Sequence, residues 1–127
     1  MNPLIIAAED DTTPSVRLDS VKNTFEISGW SHPEDAISFY APVFEWLEVY
    51  VRSPNEKTDF HFNLQYYNTA SAKQIFKILS LLEEISKSNK KITVYWHYDK
   101  EDIDMYSAGE RYAKMLMLPF EYVQTTT

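Results

Sequence analysis

Residues 15–18 and 24–28 alternate apolar and polar positions, with Lys22-Asn23 between them. A period of two places one side of each stretch in a core, so the pattern predicts a β-hairpin. Leu4, Ile5 and Ile6 ahead of it form a short first strand or an arm. Ser31-His32-Pro33-Glu34 reads as a helix start, with a serine cap, an early proline and acids in the first turn. Over residues 35–52, apolar positions 36, 39, 40, 43, 44, 47 and 51 recur at helical spacing. Pro42 lies inside that pattern, has no N–H to give, and predicts a kink or break near residues 38–41. Residues 59–67 alternate again, with Phe60, Phe62, Leu64 and Tyr66 on one face and His61, Asn63 and Gln65 on the other. Asn68-Thr69-Ala70-Ser71 then turns from strand to helix. Over residues 72–86 a stripe of Ala72, Ile75, Phe76, Leu79, Leu82 and Ile85 predicts an amphipathic helix. Residues 91–98 read as a strand, 99–104 as an acidic loop, 105–117 as a third helix and 120–123 as a final strand.

The resulting order, β-β-α-β-α-β-α-β, predicts an α/β fold. Its mixed sheet has an antiparallel start and parallel strands joined by right-handed helical crossovers. The strand at 59–67 and the strand at 91–98 are expected to pair in parallel across the helix at 72–86. The length, 127 residues, suits one domain spanning 1–127.

Composition removes several chemistries. There is no cysteine, which excludes disulfides, thiolate metal sites and cysteine nucleophiles. Only two glycines occur, too few for a phosphate-cradling loop. The formal net charge of −7 argues against nucleic acid and anionic membrane as partners. The start, MNPLIIAAEDD, has neither a basic flank nor a long apolar run, so a cytoplasmic protein without membrane insertion is expected. His32, His61 and His97 fall on different elements with no ligand spacing between them. Residues 99–110 look briefly like a calcium loop but lack glycine at the sixth place and put Ile103 at a ligand place. No nucleophile has a recognisable base, so no enzyme, cofactor or metal is expected. The alternative reading is a small-molecule- or metal-binding domain that uses the acidic loop near His97.

The informative segment is the turn at 66–71. Ser71 and Gln74 have capping-box spacing, so Ser71 is expected to cap the helix and Thr69 to lie exposed just ahead of it. A helix start favours an anion, and Lys73 is near enough to help. Trp30 and His32 on a neighbouring loop, with Tyr66 and Tyr67 beside the turn, offer aromatic anchors for a docking face.

The segments ISGWSHPEDA, PVFEWLEVY, YYNTASAK, VYWHYDKEDIDM and GERYAKMLMLPF follow one another over nearly the whole chain. In that order they resemble the SiaC family, bacterial regulatory phosphoproteins similar to anti-sigma-factor antagonists with a SpoIIAA/STAS-like fold. The resemblance implies that Thr69 is phosphorylated by a cognate kinase and dephosphorylated by a PP2C-type phosphatase. It implies that the unphosphorylated form binds and activates a diguanylate cyclase, raising cyclic di-GMP and promoting aggregation or biofilm. The docking face would comprise Trp30, His32, Tyr67, Asn68, Ser71 and Lys73. Ala70 stands where close family members often carry serine. A phosphate of about −1.5 to −2 charge would end binding by repelling acidic partner groups and by its need for desolvation.

Overall fold

The computed structural model describes residues 1–125; the last two residues of the expected domain lie outside the described residues. Strands β1 (Leu4–Ile6), β2 (Ser15–Asp19) and β3 (Thr24–Ser31) come first. Then α1 (Ala36–Tyr50), β4 (Lys57–Tyr67), α2 (Thr69–Ser86), β5 (Lys91–Asp99), α3 (Ile103–Met115) and β6 (Phe120–Thr125) alternate. The residues after Pro3 that were read as strand or arm are a strand, which adds one element to the expected order.

All six strands form one sheet whose spatial order is their sequence order. β1, β2 and β3 pair antiparallel, while β3 to β6 pair in parallel. The expected parallel pairing of β4 and β5 across α2 is present, with Phe60 opposite Val94 and Phe62 opposite Trp96. Parallel strands laid down in sequence, each joined by a right-handed crossover, put all three helices on one face. The core fills that face. Phe60, Phe62 and Leu64 of β4 are buried with Val94 and Trp96 of β5 and with Ile75, Ile78, Leu79 and Leu82 of α2. The opposite face is polar and half-open, with His61, Asn63, Tyr95 and His97 along its centre.

Two local expectations are corrected. Ser31 does not cap α1; it is the last residue of β3 and fully buried, and Asp35 caps the helix, its Oδ1 accepting the Ser38 N–H at 3.1 Å. An aspartate directly ahead of the first turn has the reach of a cap that a serine four residues earlier lacks. Nor does Pro42 break α1, which runs from Ala36 to Tyr50 with the proline inside. Pro42 and Ser38 both face solvent, so water can take the Ser38 carbonyl that the proline leaves without a donor. Meanwhile Val43, Leu47 and Tyr50 on the other face are locked in the core. In α2, Leu79 and Leu82 are buried and Lys73, Lys77 and Glu84 exposed, as the stripe predicts; Phe76 is only half-buried, its ring 6.3 Å from Tyr112 of α3.

The connecting loops sort by charge. At the end where β3 to β6 finish, loop 7–14 carries Glu9, Asp10 and Asp11, and segment 32–35 carries Glu34 and Asp35. Turn 100–102 at the same end adds Glu101 and Asp102 with one base, Lys100. The His32 N–H donates to the Thr12 carbonyl at 2.7 Å, which ties the first of these loops to the second. At the opposite end, the loops hold Lys22, Arg52, Lys87 and Lys90 with one acid, Glu56.

Candidate functional site

The acidic end contains the turn singled out by sequence. Thr69 is exposed at the start of α2, as its first residue; what differs from expectation is the cap, which is Asn68. The Asn68 side-chain oxygen accepts the Ser71 N–H at 2.9 Å, while its carbonyl accepts the Ala72 N–H at 2.9 Å. Asn68 also donates its own N–H to the Ser31 carbonyl at 3.0 Å, which fixes the turn against the end of β3.

Ser71 is therefore neither the cap nor a surface contact. It is fully buried, and its hydroxyl lies 2.8 Å from Ser31 Oγ, which in turn lies 2.6 Å from the Tyr40 hydroxyl. These three hydroxyls bridge α2, β3 and α1 beneath the turn. Burial pushes the Tyr40 phenol up to about 12. A group so enclosed cannot touch a partner, so the expected docking role of Ser71 fails on burial; it supports the turn from below. Lys73 is exposed four residues after Thr69, a spacing that puts both side chains on the same side of α2.

The aromatic residues are distributed differently from strict alternation. Register shifts between Gly29 and Trp30: Gly29 faces Leu64, but Trp30 faces Tyr66, leaving Gln65 as an extra residue in β4. The bulge turns Tyr66 out of the core face. Tyr66 is 41% and Trp30 42% exposed. Their ring centroids are 5.5 Å apart, and the His32 ring lies 5.8 Å from Tyr66. Tyr67, expected as a docking residue, instead turns inward. It is half-buried and edge-on to Trp96 at 6.5 Å. Burial raises the Tyr67 phenol, partly countered by the Tyr112 hydroxyl and the Arg111 guanidinium.

Arg111 is the residue that sequence reasoning missed; Tyr66 is among the aromatic candidates, but strict alternation puts it on the core face. A lone glycine within a strand pattern is a bulge signal, and Gly29, with φ of 105°, could have indicated that Tyr66 changes face. Arg111 reaches the site from α3 and lines a hollow of about 290 Å³ with Gln65, Tyr66, Tyr67, Asp102 and Asp104. No local pattern links it to the turn. A second hollow of about 340 Å³ on the other side of Tyr66 is lined by Asp11, Thr12, Trp30, His32 and Tyr66.

The acidic loop and His97 do not converge. Asp102 caps α3, accepting the Met105 N–H at 3.0 Å, so the helix begins inside the expected loop. The His97 ring instead meets His61 on the open sheet face, Nε2 to Nδ1 at 2.9 Å. Burial, then the neighbouring His61, lowers the His97 pKa. Among the described residues, no group of three or more His, Cys, Asp or Glu is placed to hold a metal ion. No described helix is long and apolar enough to cross a membrane.

With this geometry in place, comparison with known proteins is informative. The family described as SiaC family regulatory phosphoprotein matches residues 6–125. An uncharacterised protein of Pseudomonas aeruginosa strain UCBPP-PA14 is 27% identical over 109 residues, 86% of each chain. The crystal structure of apo-SiaC from Pseudomonas aeruginosa superposes with a TM-score of 0.87 at 26% identity, covering 97% of this chain and 99% of that one. A structure of the diguanylate cyclase SiaD in complex with its activator SiaC, from the same organism, matches with a TM-score of 0.88 at 25% identity, covering 96% and 99%. A match over nearly the full length, on the same fold, makes this a regulatory protein rather than an enzyme: the chain belongs to the SiaC family of regulatory phosphoproteins.

Proposed function

We propose that the chain is a cytoplasmic partner-switching regulator, acting as one domain, whose unphosphorylated form docks on and activates a diguanylate cyclase. It thereby controls cyclic di-GMP and, through it, aggregation or biofilm. A cognate kinase adds the phosphate to Thr69, and a PP2C-type phosphatase removes it. The observation that carries this reading is the exposed Thr69 at the start of α2, three residues beyond Tyr66 of the exposed Trp30–Tyr66 pair. Support for the cyclase comes from the relative SiaC, described as the activator of SiaD.

The docking face in this reading is Trp30, His32 and Tyr66, with Thr69 and Lys73 at its margin. Asn68 and Ser71 hold the turn in place. A phosphate at Thr69 adds about −1.5 to −2 charge and three acceptor oxygens to that margin. Closing an interface over it requires stripping its water, which is costly unless a cation meets it. The fold need not move.

The test is calorimetry of the purified chain, with and without phosphate on Thr69, against a diguanylate cyclase encoded beside its gene. Tight binding and cyclase activation by the unphosphorylated form alone are expected. Equal affinity in the two states rules out the switch for that partner.

A further inference from the structure

We propose that the surface around Trp30 and Tyr66 receives a basic polypeptide segment, in which Lys or Arg residues flank an aromatic or aliphatic anchor. This rests on the reading of that surface as the docking face and specifies the chemistry of what docks there.

The anchor site comes first. Trp30 and Tyr66 are large, amphipathic rings of the kind that dominate binding hot spots. They are already assembled, with 5.5 Å between centroids, so ordering them costs little on binding. A hollow opens on each side of Tyr66. At about 290 and 340 Å³, each has room for a side chain.

The rims of the hollows decide the charge of the guest. Asp11 lines the hollow beside Trp30 and His32. Asp102 and Asp104 line the hollow on the α3 side of Tyr66. That hollow also holds Arg111, which offsets one of its two carboxylates, so each hollow keeps an excess of one acid. Beyond the rims, the loops at this end carry acids in large excess, and the loops at the far end carry bases. The molecule is thus a dipole whose negative pole contains the aromatic patch. Such a field draws a cationic segment in and turns an acidic one away before contact. Once seated, a guanidinium or ammonium group meets ring faces and carboxylates together. Both attract it, the rings through their quadrupole.

The charge also constrains the switch. A phosphate on Thr69 deepens a field that is already negative. Repulsion of acidic partner groups, the effect expected from sequence, therefore has no object when the partner segment is basic. The phosphate must act at contact, through its hydration and bulk.

The test uses the full chain as bait for a random peptide library displayed on phage, selected at low salt. Enriched sequences should pair Lys or Arg with Trp, Phe or Leu. Synthetic versions should bind about thirtyfold more weakly to the Trp30→Ala, Tyr66→Ala double variant. Binding should weaken by about tenfold on neutralising the rim with Asp11→Asn, Glu34→Gln and Asp104→Asn, and should fall with added salt. All five positions are exposed, so both variants should melt as the parent does. Enrichment of acidic or uncharged sequences overturns the proposal, as does no enrichment, or basic sequences that bind the double variant unchanged. The library contains no cyclase and needs no phosphate. A cyclase that ignores the chain therefore leaves this result intact, and a failed selection leaves cyclase activation open.

Discussion

The two ends of the sheet differ in how they finish their loops. At the basic end, polar groups are satisfied close to home. The Asn55 side chain donates to the Ser20 carbonyl at 2.9 Å and to Asn23 Oδ1 at 3.0 Å. Ser88 Oγ bonds the Ile85 carbonyl at 2.7 Å, the Lys90 N–H returns to Ser88, and the Lys90 ammonium pairs with Glu56. Val21 and Met117 are exposed there, Met117 beside Leu118 and Pro119 at an open apolar hollow, but among the described residues no aromatic pair stands there. At the acidic end, hydrogen bonds are spent beneath the surface, in the Ser31–Ser71–Tyr40 hydroxyl bridge and the Asn68 cap, while Trp30, His32 and Tyr66 are left outside. One end closes the fold. The other uses a rigid base to present a surface.

Helix α2 runs from the acidic end to the basic end, and its middle should bind the fates of the two. Leu79 is fully buried between the sheet and its neighbours. Leu79→Ala should cost ~2–5 kcal/mol, the range for deleting a buried leucine. Urea unfolding followed by fluorescence and by circular dichroism should shift together. Separate transitions for the two probes would mean that the ends unfold independently. Gly109→Ala should have the next largest effect, confined at first to the acidic end. An added Cβ would stand 2.5 Å from Trp96 Cδ1, and Trp96 Nε1 is bonded to the Met105 carbonyl at 2.8 Å. Either α3 or the indole must move, at about 1–3 kcal/mol for overpacking. A lowered melting temperature with a changed tryptophan emission is expected; an unchanged emission would show that α3 tolerates the methyl group.

The helix caps sharpen the contrast. Asn68→Ala should cost about 1 kcal/mol, since it removes the acceptor for the Ser71 N–H. Lys87→Ala, at the other end of α2, should stay within about 0.5 kcal/mol, because its pair with Glu84 is exposed. Acid should distinguish the caps at the two helix starts. The Ser38 hydroxyl and N–H hold the Asp35 carboxyl below its usual range. Its folded pKa is thus lower than its unfolded one, so its contribution is complete above the unfolded value and is lost as pH falls through the folded one. Asn68 does not titrate. Amide exchange at the start of α1 should therefore rise below about pH 4, before any change at the start of α2. Asp35→Asn should abolish that difference.

Much of the fold was legible because its signals are local. The alternation at 59–67 and the stripe at 72–86 identified β4, α2 and their neighbour β5 from periodicity alone. The caps were less legible. Serine, aspartate and asparagine all cap helices; the two serines expected as caps, Ser31 and Ser71, are buried by tertiary packing, and Asp35 and Asn68 cap instead. The docking face was misread at Ser71, through the same burial, and at Tyr67 for a related reason. Period two carries Tyr66 inward, and only a shift in pairing with β3, a neighbour remote in sequence, turns it out and Tyr67 in. Pro42 does not break α1, because its cost depends on whether water can reach the carbonyl it orphans.

Thr69 should give the smallest effect on stability and the clearest test of what the acidic end is for. It is exposed and the cap is Asn68, so Thr69→Ala should change stability by no more than ~0.5 kcal/mol. The variant should stay in the partner-binding form. Thr69→Asp should weaken binding only in part, because one carboxylate has less charge and fewer acceptors than a phosphate. Kinetics then separate two ways in which the phosphate could act. If it worked by long-range repulsion, association would slow and the slowing would vanish with salt. A basic partner approaching an end that is already negative should instead associate as fast or faster with the phosphorylated chain. The loss should fall on dissociation, where a hydrated dianion sits near rings and carboxylates, with Lys73 on the same side of α2 to meet it. Stopped-flow association and dissociation rates at two salt concentrations, for chain with and without the Thr69 phosphate, measure both terms. A faster dissociation with an undiminished association rate is expected. A lower association rate that salt restores would assign the switch to long-range charge and make the partner segment acidic.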